Sequence, residues 1–173
     1  MPIIPETKSW TWVLERACPE CGFDAGSVAF ADVPALLRAN ASQWPAVLQR
    51  EDVRIRPDDH TWSPLEYSAH VRDVFRTFRG RIALVRAEDN PTFANWDQDA
   101  TAVADRYNEQ EPAVVGAELL DAAEALAADF EAVPASELGR TALRSDGAEF
   151  TMTTLGQYFI HDPVHHLWDV THN

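Results

Sequence analysis

The chain has 173 residues and a formal net charge of -14, with a single lysine, Lys8, among fourteen basic residues. A phosphate-binding surface needs clustered Lys and Arg, so no nucleic-acid partner is expected. No apolar run reaches the roughly 18 residues of a membrane span, and MPIIPETKSW reads as no signal peptide, so the expectation is a cytoplasmic protein without membrane partners.

Alanine and leucine are plentiful and only seven glycines occur. That balance points to an all-α fold, and the length suits one folded domain with a real core. Residues 1–29 read as an irregular N-terminal arm, and 30–173 as the folded body. Trp10 and Trp12 are expected to anchor the arm by burying aromatic area. The arm also carries a CxxC, Cys18-Pro19-Glu20-Cys21-Gly22. A structural zinc site needs four ligands, usually two such pairs, and no other cysteine exists. Two reduced thiols in a knuckle-like turn is therefore the preferred reading.

A first helix is predicted from an Asp32 cap to about Arg50, kinked or split by Pro45. The charged stretch Glu51–Thr61 reads as a loop. Ser63-Pro64-Leu65-Glu66 is a capping box with proline at the first helical position. It opens a helix whose apolar stripe includes Tyr67, Val71, Val74, Phe75, Phe78 and Ile82, with His70 at the stripe's edge. Residues 89–98 form a loop in which Asn95, Trp96, Asp97 and Gln98 either line a pocket or cap the next helix. Helices are predicted over Asp99–Asn108 and Pro112–Val133. Pro134–Thr153 is a turn-rich connection with room for a short extended piece, and Thr154-Leu155-Gly156-Gln157 is a second capping pattern before the last helix.

That last helix concentrates the chemistry. Gln157–His172 holds four of the six histidines, His161, His165, His166 and His172, interleaved with Asp162 and Asp169. At about 100° per residue, His161, His165 and Asp169 share one stripe, while Phe159, Ile160, Val164, Leu167 and Val170 lie opposite. Two histidines four apart can place two imidazoles on one metal, and His70 is the best third ligand. His166 projects about 100° from His165 and reads as an accessory group. Pro163 interrupts the pair: either the helix continues, bent, or Asp162-Pro163 starts a new one. The Thr154 cap and the apolar residues Phe159 and Ile160 favour the continuous helix.

Trp62-Ser63 followed by His70, then His161 and His165, resembles the DinB-like superfamily of metal-binding helical bundles over about residues 32–172. That family includes thiol S-transferases and mycothiol-dependent maleylpyruvate isomerase-like proteins. The resemblance implies a four-helix bundle with a long connection before the last helix. It also implies one divalent metal held by His70, His161 and His165, and no DNA binding.

Three neutral imidazoles would leave the ion's charge uncompensated and a position open, as catalytic sites require. Zn2+ suits such ligands best, with Ni2+ as the next choice. The open position could serve hydrolysis or the transfer of a low-molecular-weight thiol to a small-molecule electrophile. Asp73 and Asp169 could hydrogen-bond the free ring nitrogens and relay protons, or be surface carboxylates. The leading expectation is a metal-dependent, thiol-using S-transferase. A hydrolase or isomerase is the alternative within the same class, and a non-enzymatic metal-binding stress-response protein, or histidines without metal, the alternatives outside it. Bundles of this size often form homodimers, but no heptad seam marks one.

Overall fold

Capping and proline signals set most helix boundaries. The computed structural model describes residues 3, 4 and 9–172, so most of MPIIPETKSW lies outside the described residues. The arm carries single helical turns at Thr11–Leu14, Ala25–Ser27 and Phe30–Asp32. Helix α1 spans Val33–Ala41 and α2 spans Trp44–Leu48. The predicted first helix is thus divided, with Pro45 in the first turn of α2, where its missing N–H costs nothing. Asp32 precedes α1 but makes no capping hydrogen bond through its side chain.

Helix α3, Pro64–Ala87, opens with both arms of the Ser63/Glu66 box in place. Ser63 Oγ accepts from the Glu66 N–H, and Glu66 Oε2 accepts from the Ser63 N–H. Strand β1, Thr92–Phe93, and helix α4, Gln98–Ala104, follow; Asp97 caps α4 by accepting from the Ala100 N–H. Helix α5, Pro112–Glu131, leads through a turn at Ala135–Glu137 to β2, Thr141–Arg144, and β3, Glu149–Thr151. Strands β1 and β2 pair in parallel, β2 and β3 antiparallel, with Thr92 opposite Leu143 and Ala142 opposite Phe150. The extended piece expected in the connection is therefore a strand pair, joined by a third strand from the loop after α3.

Helix α6, Met152–His172, is continuous through Pro163. It starts two residues before the predicted cap because Thr151 and Thr154 cap each other: the Thr151 N–H donates to Thr154 Oγ1, and the Thr154 N–H to Thr151 Oγ1. The Pro163 carbonyl accepts from Asn40 Nδ2 at 2.8 Å, tying α6 to α1 at the proline.

Helices α1, α5, α3 and α6 pack in that cyclic order as a four-helix bundle. Leu37, Phe75, Leu119, Leu126, Phe130 and Phe159 fill its core. The arm lies along α6. Gln157 Nε2 donates to the carbonyls of Gly26 and Val28, both at 3.0 Å. A Cβ on Gly26 would stand 2.5 Å from the Leu14 carbonyl oxygen, so only glycine permits this fold of the arm. Among the described residues, no helix is long and apolar enough to cross a membrane.

Candidate metal centre

Helix α6 presents two ligand pairs with the same i, i+4 spacing, rotated about 100° from each other. One is His161 with His165; the other is Asp162 with His166. Each meets a different partner. Donor atoms of His70, Asp162 and His166 lie within 4.8 Å of one another, and so do those of Cys18, Cys21, His161 and His165. The three-histidine centre read from the sequence is therefore divided. His161 and His165 remain together on one stripe, but His70 of α3 faces Asp162 and His166 instead. Asp162 and His166 are the candidate ligands that the HxxxH pattern concealed. The overlapping DxxxH, one residue later, was the available signal.

In the first cluster, His70 Nε2 stands 3.5 Å from Asp162 Oδ1, and His166 Nε2 stands 3.8 Å from the same oxygen. Both separations are too long for hydrogen bonds. They are close to the edge of about 3.3 Å that tetrahedral zinc imposes between nitrogen and oxygen ligands. Among the described residues, His70 Nδ1, His70 Nε2 and Asp162 Oδ1 are buried polar side-chain atoms without a hydrogen-bond partner. Leaving such atoms unsatisfied costs on the order of 1–3 kcal/mol each, and a shared cation would offset that cost for His70 Nε2 and Asp162 Oδ1, which face each other. These residues fit a divalent metal.

The surroundings hold the donors in place. His70 is fully buried, stacked on Trp96 at 5.3 Å and packed against Trp62 at 5.0 Å. Burial pushes its pKa down, which keeps the imidazole neutral and able to ligate. Burial alone would raise the Asp162 carboxyl, but facing His166 and His70 hold it down at about 2, ionised at neutral pH. His166 Nδ1–H donates to Asp169 Oδ2 at 2.9 Å, and Nε2 of the same ring faces Asp162 Oδ1. Asp169 thus orients an imidazole as the sequence suggested, though the ring is that of His166. Its other oxygen lies 3.6 Å from His165 Nε2.

Asp73 does not serve His70. Its carboxylate accepts from the Tyr107 hydroxyl at 2.6 Å and from Arg72 Nε and Nη2 at 2.9 and 3.0 Å. The carboxylate expected to relay protons thus links α3 to the turn at Tyr107–Glu109. Trp96, left open between pocket and cap, fixes His70, while its neighbour Asp97 caps α4.

In the second cluster, Cys18 Sγ lies 3.7 Å from His165 Nδ1, and Cys21 Sγ lies 3.7 Å from His161 Nε2. Gly22, at φ +72°, turns the chain after Cys21, and its N–H donates to the Cys18 carbonyl at 2.9 Å. The Trp10 ring covers the cluster, 5.5 Å from His161 and 4.9 Å from His165, so the arm is anchored on the histidines themselves. Burial lowers both imidazole pKa values, His161 to about 4. Burial also pushes the Cys21 thiol up to about 11.

A cavity of about 410 Å3 opens over both clusters. Trp10, Trp62, Tyr67 and Tyr158 supply aromatic walls, and Gln98 reaches its rim. Glu20, Asp99, Asp162 and Asp169 make the lining acidic.

The DinB superfamily model matches residues 35–170, and the chain belongs to that superfamily. Among solved structures it is similar to YfiT from Bacillus subtilis, described as a probable metal-dependent hydrolase with an unusual four-helix bundle topology. The two share 17% identity at a TM-score of 0.64, over 98% of this chain and 92% of that one. No curated protein matches the sequence.

Proposed function

We propose that this protein is a metal-dependent enzyme whose divalent ion is held by His70, Asp162 and His166, and that it transfers a low-molecular-weight thiol to a small electrophile. The observation that carries the site is the set of buried, unpartnered atoms on His70 and Asp162, with Asp162 and His166 lining a cavity. Three protein ligands leave at least one position for a substrate atom, the arrangement of catalytic rather than structural sites. An ion bound there would supply Lewis acidity to a substrate oxygen or sulfur. Two imidazoles and one carboxylate suit Zn2+, with Ni2+ and ferrous iron also compatible.

The chain's own residues supply the rest. Asp169 fixes the His166 tautomer, and as a carboxylate lining the cavity it can itself accept or return a proton. Trp62 and Trp96 hold His70 in one orientation. The aromatic walls exclude water from one side of the substrate, and the acidic lining favours neutral or cationic small molecules over anions. The overall charge of -14 likewise disfavours nucleic acid. Free Cys18 and Cys21 suit the reducing cytoplasm.

Thiol transfer is the reaction that the family resemblance implies. Hydrolysis is the second reading. It is favoured by the two-histidine, one-carboxylate donor set, which resembles that of zinc peptidases, and by the description given to YfiT. The test is turnover of metal-loaded protein with model electrophiles and activated esters, each with and without added thiol. Thiol consumption that needs metal, and that is lost in His70→Ala and Asp162→Asn, is the expected result. Asp169→Asn should slow it about 10–100-fold. Ester cleavage without thiol would select hydrolysis, and equal rates in metal-free and metal-loaded protein would contradict both.

A further inference from the structure

We infer that Cys18, Cys21, His161 and His165 form a second, structural zinc site that clamps the N-terminal arm onto α6 beside the proposed catalytic centre. The four donor atoms lie within 4.8 Å of one another. Zinc–sulfur and zinc–nitrogen bonds of about 2.3 and 2.0–2.1 Å at a tetrahedral angle place sulfur and nitrogen about 3.6 Å apart. Both observed pairs stand at 3.7 Å, Cys18 with His165 and Cys21 with His161.

The chemistry is that of a closed shell. Two thiolates and two neutral imidazoles neutralise a dication and fill a tetrahedron, leaving no position for substrate. The CPECG turn brings its two sulfurs together through the Gly22-to-Cys18 hydrogen bond, and the HxxxH spacing brings two rings to one face of α6. On the far side of His165, Nε2 faces Glu20 Oε2 at 3.4 Å and Asp169 Oδ1 at 3.6 Å, the carboxylate support that zinc-bound imidazoles commonly have. A Cys18–His165 nucleophile is a poor alternative, because Cys18 is 1% exposed; with neither thiol in a disulfide, both sulfurs are available as ligands.

The consequence reaches the cavity. Trp10 and Glu20 belong to the arm, and both line the space above His166 and Asp162. Clamping the arm therefore builds one wall of the proposed active site without entering the reaction. Because His161 and Asp162, and again His165 and His166, are sequence neighbours, α6 serves both ions at once.

Cobalt substitution of the full-length protein tests this independently of any activity. Cobalt-loaded protein should show intense tetrahedral d–d bands and a thiolate-to-cobalt charge-transfer band, with two ions bound per chain, one for each cluster. Cys18→Ser/Cys21→Ser should abolish the charge-transfer band and remove one ion. His70→Ala/Asp162→Asn should remove the other ion and leave that band intact. A wild-type spectrum without thiolate charge transfer, or one unaltered by the cysteine substitutions, would overturn the proposal. Should the cysteine variant not fold, alkylation of the zinc-loaded wild type decides: thiols protected until chelator is added support it, and equal labelling before and after chelator refutes it.

Discussion

His161 and Asp162 are adjacent in sequence, yet they face different clusters. A step of about 100° is enough to separate them, and that step is why the histidine pattern was legible while its assignment was not. Two interlaced i, i+4 pairs fit one helix equally well, and only the position of α3 decides which one His70 joins. Asp73 makes the same point from the other direction. Three residues from His70, it could have supported that ring, but Arg72 and Tyr107 engage both of its oxygens. Burial alone would raise its pKa; Arg72 and Tyr107 outweigh that and hold it below the usual carboxylate range. A depressed folded-state pKa contributes stability above the unfolded value, near pH 4, that is lost as the pH falls through the folded value. Asp73→Asn should therefore cost about 2 kcal/mol at neutral pH and flatten the loss of stability in acid. Denaturant midpoints between pH 7 and 3 measure both effects. Unchanged midpoints with lost metal would return Asp73 to the site.

The elements whose boundaries depend on local chemistry are the ones the sequence defines well. Helix α3 has a capping box, a proline at its first position and a regular apolar stripe, and it begins where those signals put it. Ser63 Oγ also donates to Asn108 Oδ1 at 2.7 Å, so the cap joins α3 to the turn after α4. Ser63→Ala should destabilise the protein by about 1–2 kcal/mol, read as a lower denaturant midpoint, with metal content retained because His70 lies two turns further on. Loss of metal without loss of stability would contradict this division of roles. The sheet was hardly legible, since β1 is two residues long and its pairing partner lies some fifty positions away. Such strands are made by long-range pairing rather than by local propensity. Pro163 is the opposite case. Its intrinsic cost of about 3 kcal/mol argues for a break, but α6 is packed on both sides of it and Asn40 binds its carbonyl, so the helix runs through.

At the scale of the molecule, the bundle and its long connection follow from the helical stripes and the resemblance, whereas the arm does not. Counting cysteines alone hid the role of the CxxC, because the two other donors are histidines some 140 residues away. The arm, α3 and α6 together enclose the cavity, and α6 is the element common to both clusters. The central claim is that an ion at the cavity floor is held by one histidine of α3 and an Asp–His pair of α6. Anomalous diffraction from metal-loaded crystals tests it most directly. The account predicts a peak bonded to His70, Asp162 and His166, about 2.0–2.2 Å from each ligand atom if the ion is zinc. A single peak joining His70 to His161 and His165, or no density among the three predicted ligands, would contradict it.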